Sequence, residues 1–124
     1  MAKRVLDVGN CAPDYASVSN FLTHNFDCEV VQAHDAADAL RHLRSGHFDL
    51  VLVNRKLDVD YSDGIEVIRQ IKADPDVSDV PVMLITNYPE HQQAAIAAGA
   101  IRGFGKLEFG NPETSERVAA VLTG

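Results

Sequence analysis

The chain has 124 residues, of which 46% are hydrophobic and 23% charged, and its formal net charge at pH 7 is −7. A chain of this length is expected to form one domain over residues 1–124 and to bury roughly two thirds of its unfolded surface. The acidic balance argues against a nucleic-acid surface, which needs Lys and Arg gathered on one face, and RHLR at 41–44 is too small a cluster for that.

The opening MAKRVLDV runs straight into strand-like sequence, with Asp7 where a signal peptide would continue its apolar core. No apolar run approaches the ~20 residues of a membrane helix, so a cytoplasmic location is expected. Arg4–Gly9 reads as the first strand, and alternation puts Asp7 on the same side as Gly9, one step deeper. Pro13 suits the first turn of a helix reaching His24, with Val18, Phe21 and Leu22 on one side. The second strand is Cys28–Ala33. Cys11 and Cys28 then fall at opposite ends of the sheet, roughly 15–20 Å apart, too far for a disulfide and consistent with a reducing compartment.

Asp35 can cap a helix over Ala36–Ser45, with Asp38 supporting the first turn and Gly46 stopping it. Leu50–Val53 is a continuous apolar run, as is Val82–Thr86 apart from its last residue, and such runs belong to parallel strands covered on both faces. Between them Gly64–Ala73 places Ile65, Ile68 and Ile71 on one helical face. Pro89 begins a short alanine-rich helix ending before Gly99, and its His91, Gln92 and Gln93 read as a solvated face. Gly103–Lys106 reads as a short fifth strand. Asn111 and Pro112 open a last helix with Val118, Val121 and Leu122 inward.

Five strand–helix repeats with right-handed crossovers give an α/β, doubly wound, three-layer sandwich. Ligands are expected at the carboxyl ends of its strands. The residues there are Gly9 and Asn10, Asn54, Thr86 with Asn87, and Lys106.

That order and spacing resembles the receiver domain of bacterial two-component response regulators over essentially the whole chain. The match includes FDLVLV before Asn54, DGIEVIRQIK after it, VPVMLIT, AAGA and FGK. The resemblance implies a flavodoxin-like (βα)5 fold with strand order 2-1-3-4-5. It also implies an acidic metal-binding pair after strand one, a phosphorylated Asp ending strand three, Thr or Ser ending strand four and Lys ending strand five. Carried over, the acidic pair falls on Gly9 and Asn10 and the phosphoacceptor on Asn54, while Thr86 and Lys106 keep their types. Leu107 stands where the family has Pro, so the usual cis bond there is not expected, and RKLDVDYSDG is about two residues longer than usual.

Phosphoryl transfer to a side chain of this kind needs a carboxylate nucleophile and a divalent cation. Amides and a glycine supply neither, so the sequence points to a pseudo-receiver with no catalytic residue, metal or cofactor. It would serve as a phosphorylation-independent protein-interaction module. Family likeness assigns the working surface to Glu90–Ala98, Gly103–Phe109 and Asn111–Leu122, with Arg102, Lys106, Glu108, Glu113, Glu116 and Arg117 as rim charges. The partner would be a protein, a neighbouring domain, or a second copy through residues 90–122, and neither nucleic acid nor membrane.

Two alternatives stand beside this one. The domain could be a receiver phosphorylated through Asp58, Asp60 or Asp63, or a small-ligand sensor using the vacated pocket. DVDYSDG only superficially resembles a calcium loop, because Asp63 and Arg69 occupy its required Gly and Glu positions. Histidines 24, 34, 42, 47 and 91 lack ligand spacing, and Thr86 is expected to bond local backbone. Asp7 is expected to sit near an exposed strand edge or to bond backbone groups, the alternative being that Gly9 leaves room for Lys106 to pair with it. The family's mobile aromatic aligns with Gly103, leaving Phe104 as its only substitute and no basis for a switch.

Overall fold

The computed structural model describes residues 2–123. Strand β1 is Lys3–Val8, β2 Cys28–Ala33, β3 Leu50–Asn54, β4 Val82–Ile85 and β5 Ile101–Phe104. Helix α1 is Ala12–Asn25, α2 Ala36–Ser45, α3 Gly64–Ala73, α4 Pro89–Ala97 and α5 Pro112–Leu122. The strands form one parallel sheet in the order β2-β1-β3-β4-β5, as the family likeness implies.

Alternation along each central strand supplies two cores. In β3, Leu50 and Leu52 pack with Val5, Met83 and Ile85 against Val18, Phe21 and Leu22 of α1 and Val118 and Leu122 of α5. Val51 and Val53 face the other way, with Leu6, Val8, Val82 and Leu84, against Ala39 of α2, Val67, Ile68 and Ile71 of α3, and Ala95 of α4. Both faces of β3 are therefore dry, which is why LVLV shows no polar alternation. Helix α2 is capped as expected: Asp35 Oδ1 accepts from the Asp38 backbone N–H at 2.9 Å, and Asp38 Oδ2 accepts from the His34 N–H at 3.0 Å.

The fifth strand departs from the sequence reading. It ends at Phe104, and Lys106 opens a 3-10 turn, Lys106–Glu108. Pairing to β4 slips here, with Met83 opposite Ile101 but Ile85 opposite Phe104, so β5 carries one extra residue. That bulge turns Phe104 fully inward against Phe21 and Phe109, with ring centroids 5.8 and 6.0 Å away. No cis peptide bond occurs among the described residues.

Gln92 also differs from expectation. It is buried, and its amide donates to the carbonyls of Leu84 and Thr86 at 3.0 and 3.2 Å while accepting from the Gly103 N–H at 2.9 Å. It thus bridges β4 and β5 where the bulge loosens the ladder. Gln93 is exposed as expected, and His91 is half-buried.

Candidate functional site

The carboxyl ends of β3, β4 and β5 enclose a cleft of about 230 Å³ lined by Asn54, Arg55, Lys56, Ile85, Thr86, Asn87, Tyr88 and Lys106. Three of these are cations and none is an acid. Asn54, Thr86 and Lys106 are brought together as the sequence suggested. Gly9 and Asn10 lie past the end of β1 and do not line this cleft.

Asn54 ends β3 half-buried, and its Nδ2 donates to the Lys56 carbonyl at 2.7 Å, closing the start of the following loop. Thr86 is buried just past β4. Its Oγ1 accepts from the Tyr88 N–H at 3.3 Å and lies 3.4 Å from His91 Nδ1, the local role expected of a strand-end Thr. Lys106 Nζ donates to Asp14 Oδ2 at 2.8 Å. That bond holds the Asp14 carboxyl below the usual carboxylate range.

The alternative pairing of Lys106 with Asp7 is not made, and the geometry at Gly9 explains why. Gly9 has φ +86, and a Cβ there would lie 2.3 Å from Leu57 Cδ2 and 3.3 Å from Leu57 Cα. The long loop after β3 folds back over the end of β1, held by the Asp58 N–H on the Gly9 carbonyl at 2.8 Å, and drops Leu57 into the space. Leu57 is buried and packs with Val8, Val53 and Val67. Gly9 therefore marks occupied space and a left-handed backbone, which a side chain would strain. Lys106 instead meets the partly exposed Asp14 in the first turn of α1, where neither charge must be fully dehydrated.

Asp7 is fully buried and not at an exposed strand edge, because β1 is flanked by β2 on one side and β3 on the other. Asn10 Nδ2 donates to Asp7 Oδ1 at 2.6 Å, whereas Asp7 Oδ2 and Asn10 Oδ1 have no partner. Burial pushes the Asp7 carboxyl up to about 7; the Asn10 bond and the charge of Lys106 pull the other way, and Asp14 adds to the rise.

Asp58, Asp60 and Asp63 are all exposed and none lines the cleft. Asp60 accepts from the Ser62 N–H and hydroxyl at 2.9 and 2.6 Å, forming a turn, and Asp63 pairs with Lys56 at 2.7 Å. No group of three or more His, Cys, Asp or Glu suited to a metal ion occurs among the described residues. Both cysteines are free thiols, and no described helix is long and apolar enough to cross a membrane.

Sequence reasoning passed over four residues that shape this site: Asp14, Arg55, Lys56 and Leu57. Arg55 and Lys56 follow Asn54 directly, so their place at the strand end was readable. The landing of Leu57 on Gly9 depends on loop path and carried no sequence signal.

On the expected working surface, Ile96 and Leu107 are exposed hydrophobics, Leu107 at 85%, and Tyr88 and Ile101, just outside its bounds, are exposed as well. Several expected rim charges are bound within the chain. Glu108 Oε1 accepts from the Gly105 N–H at 2.7 Å, and Arg117 donates to the Gly103 carbonyl at 3.3 Å and pairs with Glu113 at 3.6 Å. Arg102 and Glu116 form no salt bridge among the described residues.

Comparison with known proteins is consistent with this architecture. The chemotaxis protein CheY4 of Vibrio cholerae superposes with a TM-score of 0.75 at 23% identity, covering 98% of this chain and 99% of its own. The receiver domain of the sensor histidine kinase PA1611 from Pseudomonas aeruginosa PAO1, solved with a magnesium ion coordinated in its active-site cleft, gives 0.79 at 17% identity, with full coverage of both chains (100% each). NtrX from Brucella abortus gives 0.72 at 25% identity, covering 98% of this chain but 26% of that larger one. The model of the response regulator receiver domain matches residues 14–107, and the chain belongs to that family.

Proposed function

We propose that this chain is a pseudo-receiver, one domain over residues 1–124 that signals by protein contact and not by phosphorylation of Asn54. In this reading Asn54 holds the phosphoacceptor position and Gly9 and Asn10 the acidic-pair positions, while Thr86 and Lys106 are retained family residues. The observation that carries it is the packing of Leu57 onto Gly9, beside a cleft lined by Arg55, Lys56 and Lys106 and by no carboxylate. Magnesium demands hard, preferably anionic oxygens in an octahedral shell, and this residue set does not fit it. An amide at residue 54 is also a poor nucleophile, so neither half of phosphoryl transfer is supported.

What remains is a surface. Ile96 in α4 and Leu107 in the turn after β5 are exposed apolar side chains on the segments the family resemblance assigns to contacts, and Tyr88 before α4 and Ile101 in β5 extend that set beyond them. Its partner would be another protein, a neighbouring domain of a signalling protein, or a second copy, in the cytoplasm. No cofactor, catalytic turnover, nucleic acid or membrane enters this reading.

The test is a titration of magnesium and beryllofluoride followed by amide NMR, with intact-mass analysis after incubation with a small phosphodonor. Unchanged resonances at Asn54, Thr86 and Lys106 and an unmodified mass are expected. Saturable magnesium-dependent shifts there, or a stable phosphorylated species, would overturn the proposal.

A further inference from the structure

We infer that the cavity at the amino ends of β3 and β4, the opposite end of the sheet from Asn54, binds an organic cation: an ammonium or guanidinium group carried on an apolar stem. No residue of the cleft around Asn54 takes part.

The cavity has a volume of about 300 Å³ and a floor of Leu43, Phe48, Val77, Val80 and Pro81. One wall is the end of α2 at Leu43 and Gly46. The other is the connection from α3 to β4, which is folded on its own backbone: the Val77 N–H donates to the Asp74 carbonyl at 3.1 Å and the Val80 N–H to the Val77 carbonyl at 3.3 Å. Lys72 Nζ donates to the Ser78 and Val80 carbonyls at 2.9 and 2.7 Å, fastening that connection to α3, and a salt bridge from Arg44 to Asp74 ties it to α2. The shape is thus set before a ligand arrives. A largely apolar lining with a few polar groups is what small-ligand pockets have in common.

Charge selects the ligand. Asp49, Asp76 and Asp79 line the cavity, and neither Lys nor Arg does. Asp49 Oδ2 accepts from the Arg4 backbone N–H at 2.9 Å and Oδ1 lies 3.0 Å from His47 Nε2; these bonds, the Arg4 one first, hold its carboxyl below the usual carboxylate range. Asp76 and Asp79 are exposed and form no salt bridge among the described residues. Helix α2 also ends here, and the last turn of a helix is its negative end. The cations of this corner are turned to other partners, Lys72 to backbone and Arg44 to Asp74. Arg4 lies over the Phe48 ring at 4.3 Å, with Nε on Glu29 at 2.8 Å and Nη1 on the His47 carbonyl at 3.1 Å. A cation on an apolar stem answers floor and rim together, with its stem on the apolar side chains and its charged head among the carboxylates.

Amide NMR titrations with phenethylammonium chloride and, separately, N-acetyl-arginine methylamide test this at constant chloride, with 2-phenylethanol as the neutral control. Saturable shifts at Gly46, His47, Asp49, Val77 and Val80 are expected with at least one cation, at millimolar concentrations or below, while Asn54, Thr86 and Lys106 stay unmoved. The Asp76→Asn/Asp79→Asn variant should bind at least tenfold more weakly, and 2-phenylethanol at least tenfold more weakly than phenethylammonium. The tighter of the two cations names the source, a free amine or the arginine side chain of a partner protein. No saturable shift at this end with either cation overturns the inference. So does 2-phenylethanol binding as tightly as phenethylammonium, or undiminished binding in the double variant. An amide spectrum of that variant without ligand establishes that it is folded.

Discussion

Asn10 Nδ2 donates to Asp7 Oδ1 at 2.6 Å inside the protein, while the remaining oxygen of each residue is buried without a partner. Two orphaned acceptors on one bonded pair are a costly arrangement, unless a proton on Asp7 supplies the missing donor. Its carboxyl, pushed up to about 7 by burial, makes that proton available in the folded state.

The folded protein should then hold a proton on Asp7 that the unfolded chain releases near its ordinary value of 3.8. Between about pH 4 and pH 7 the folded state binds more protons, so this group makes stability fall as pH rises and level off above about 7. The full effect is at most about 4 kcal/mol, taking 1.36 kcal/mol per unit. Asp7→Asn should remove that slope and raise stability at pH 8 relative to the parent. Urea unfolding at pH 5 and pH 8 checks it; equal pH dependence in parent and variant would refute the protonated pair.

At Gly9 a side chain meets two obstacles, a φ of +86 and Leu57 Cδ2 at 2.3 Å from its Cβ. Gly9→Ala should cost about 1–3 kcal/mol. Leu57→Ala alone opens a cavity and should cost about 2–5 kcal/mol. Because the two residues contend for one space, the double variant should lose less than the sum of the singles. Chemical denaturation of the four proteins gives the coupling directly, and strict additivity would mean that Leu57 does not fill the space over Gly9.

The fold was largely legible in the sequence because its strands are buried on both faces. LVLV and VMLI are apolar throughout, and Pro13, Pro89 and Pro112 mark helix starts. The positions around the cleft were legible as well, since strand ends can be counted. What could not be read depends on path. The extra residue in β5 shifts Phe104 inward and leaves Lys106 beyond the strand, and nothing in IRGFGK distinguishes that from a regular strand. The depth of Asp7 follows from strand order, which puts β1 in the interior of the sheet. Gln92 did leave a trace: it lies three residues before buried Ala95, on the same helical face.

Lys106 holds Asp14 at 2.8 Å in a partly exposed setting, so the pair should add no more than about 1 kcal/mol. Asp14 sits below the usual carboxylate range chiefly through this hydrogen bond, so its contribution is present above the unfolded value of 3.8 and lost as pH falls through the lower folded value. Lys106→Met should raise the Asp14 midpoint in a carboxyl-carbon NMR titration while changing stability at pH 7 only slightly. An unmoved midpoint would show that the two side chains do not pair in solution.

Gln92 is the single side chain tying the Leu84 and Thr86 carbonyls to the Gly103 N–H across the β4–β5 bulge. Leucine fills similar volume but satisfies none of these groups, and a buried polar group left unpaired costs about 1–3 kcal/mol. Gln92→Leu should therefore destabilise by roughly 2–4 kcal/mol, with the loss concentrated where α4 meets β5. Amide exchange separates this from general loosening: Gly103 should exchange much faster in the variant, while Leu52 in β3 follows only the global change. The cleft rests on the same span, since Thr86 and Lys106 flank it, so a loosened β5 should also broaden the Lys106 resonances. Unchanged protection at Gly103 would mean that the bulge is held by backbone pairing alone and that Gln92 merely fills space.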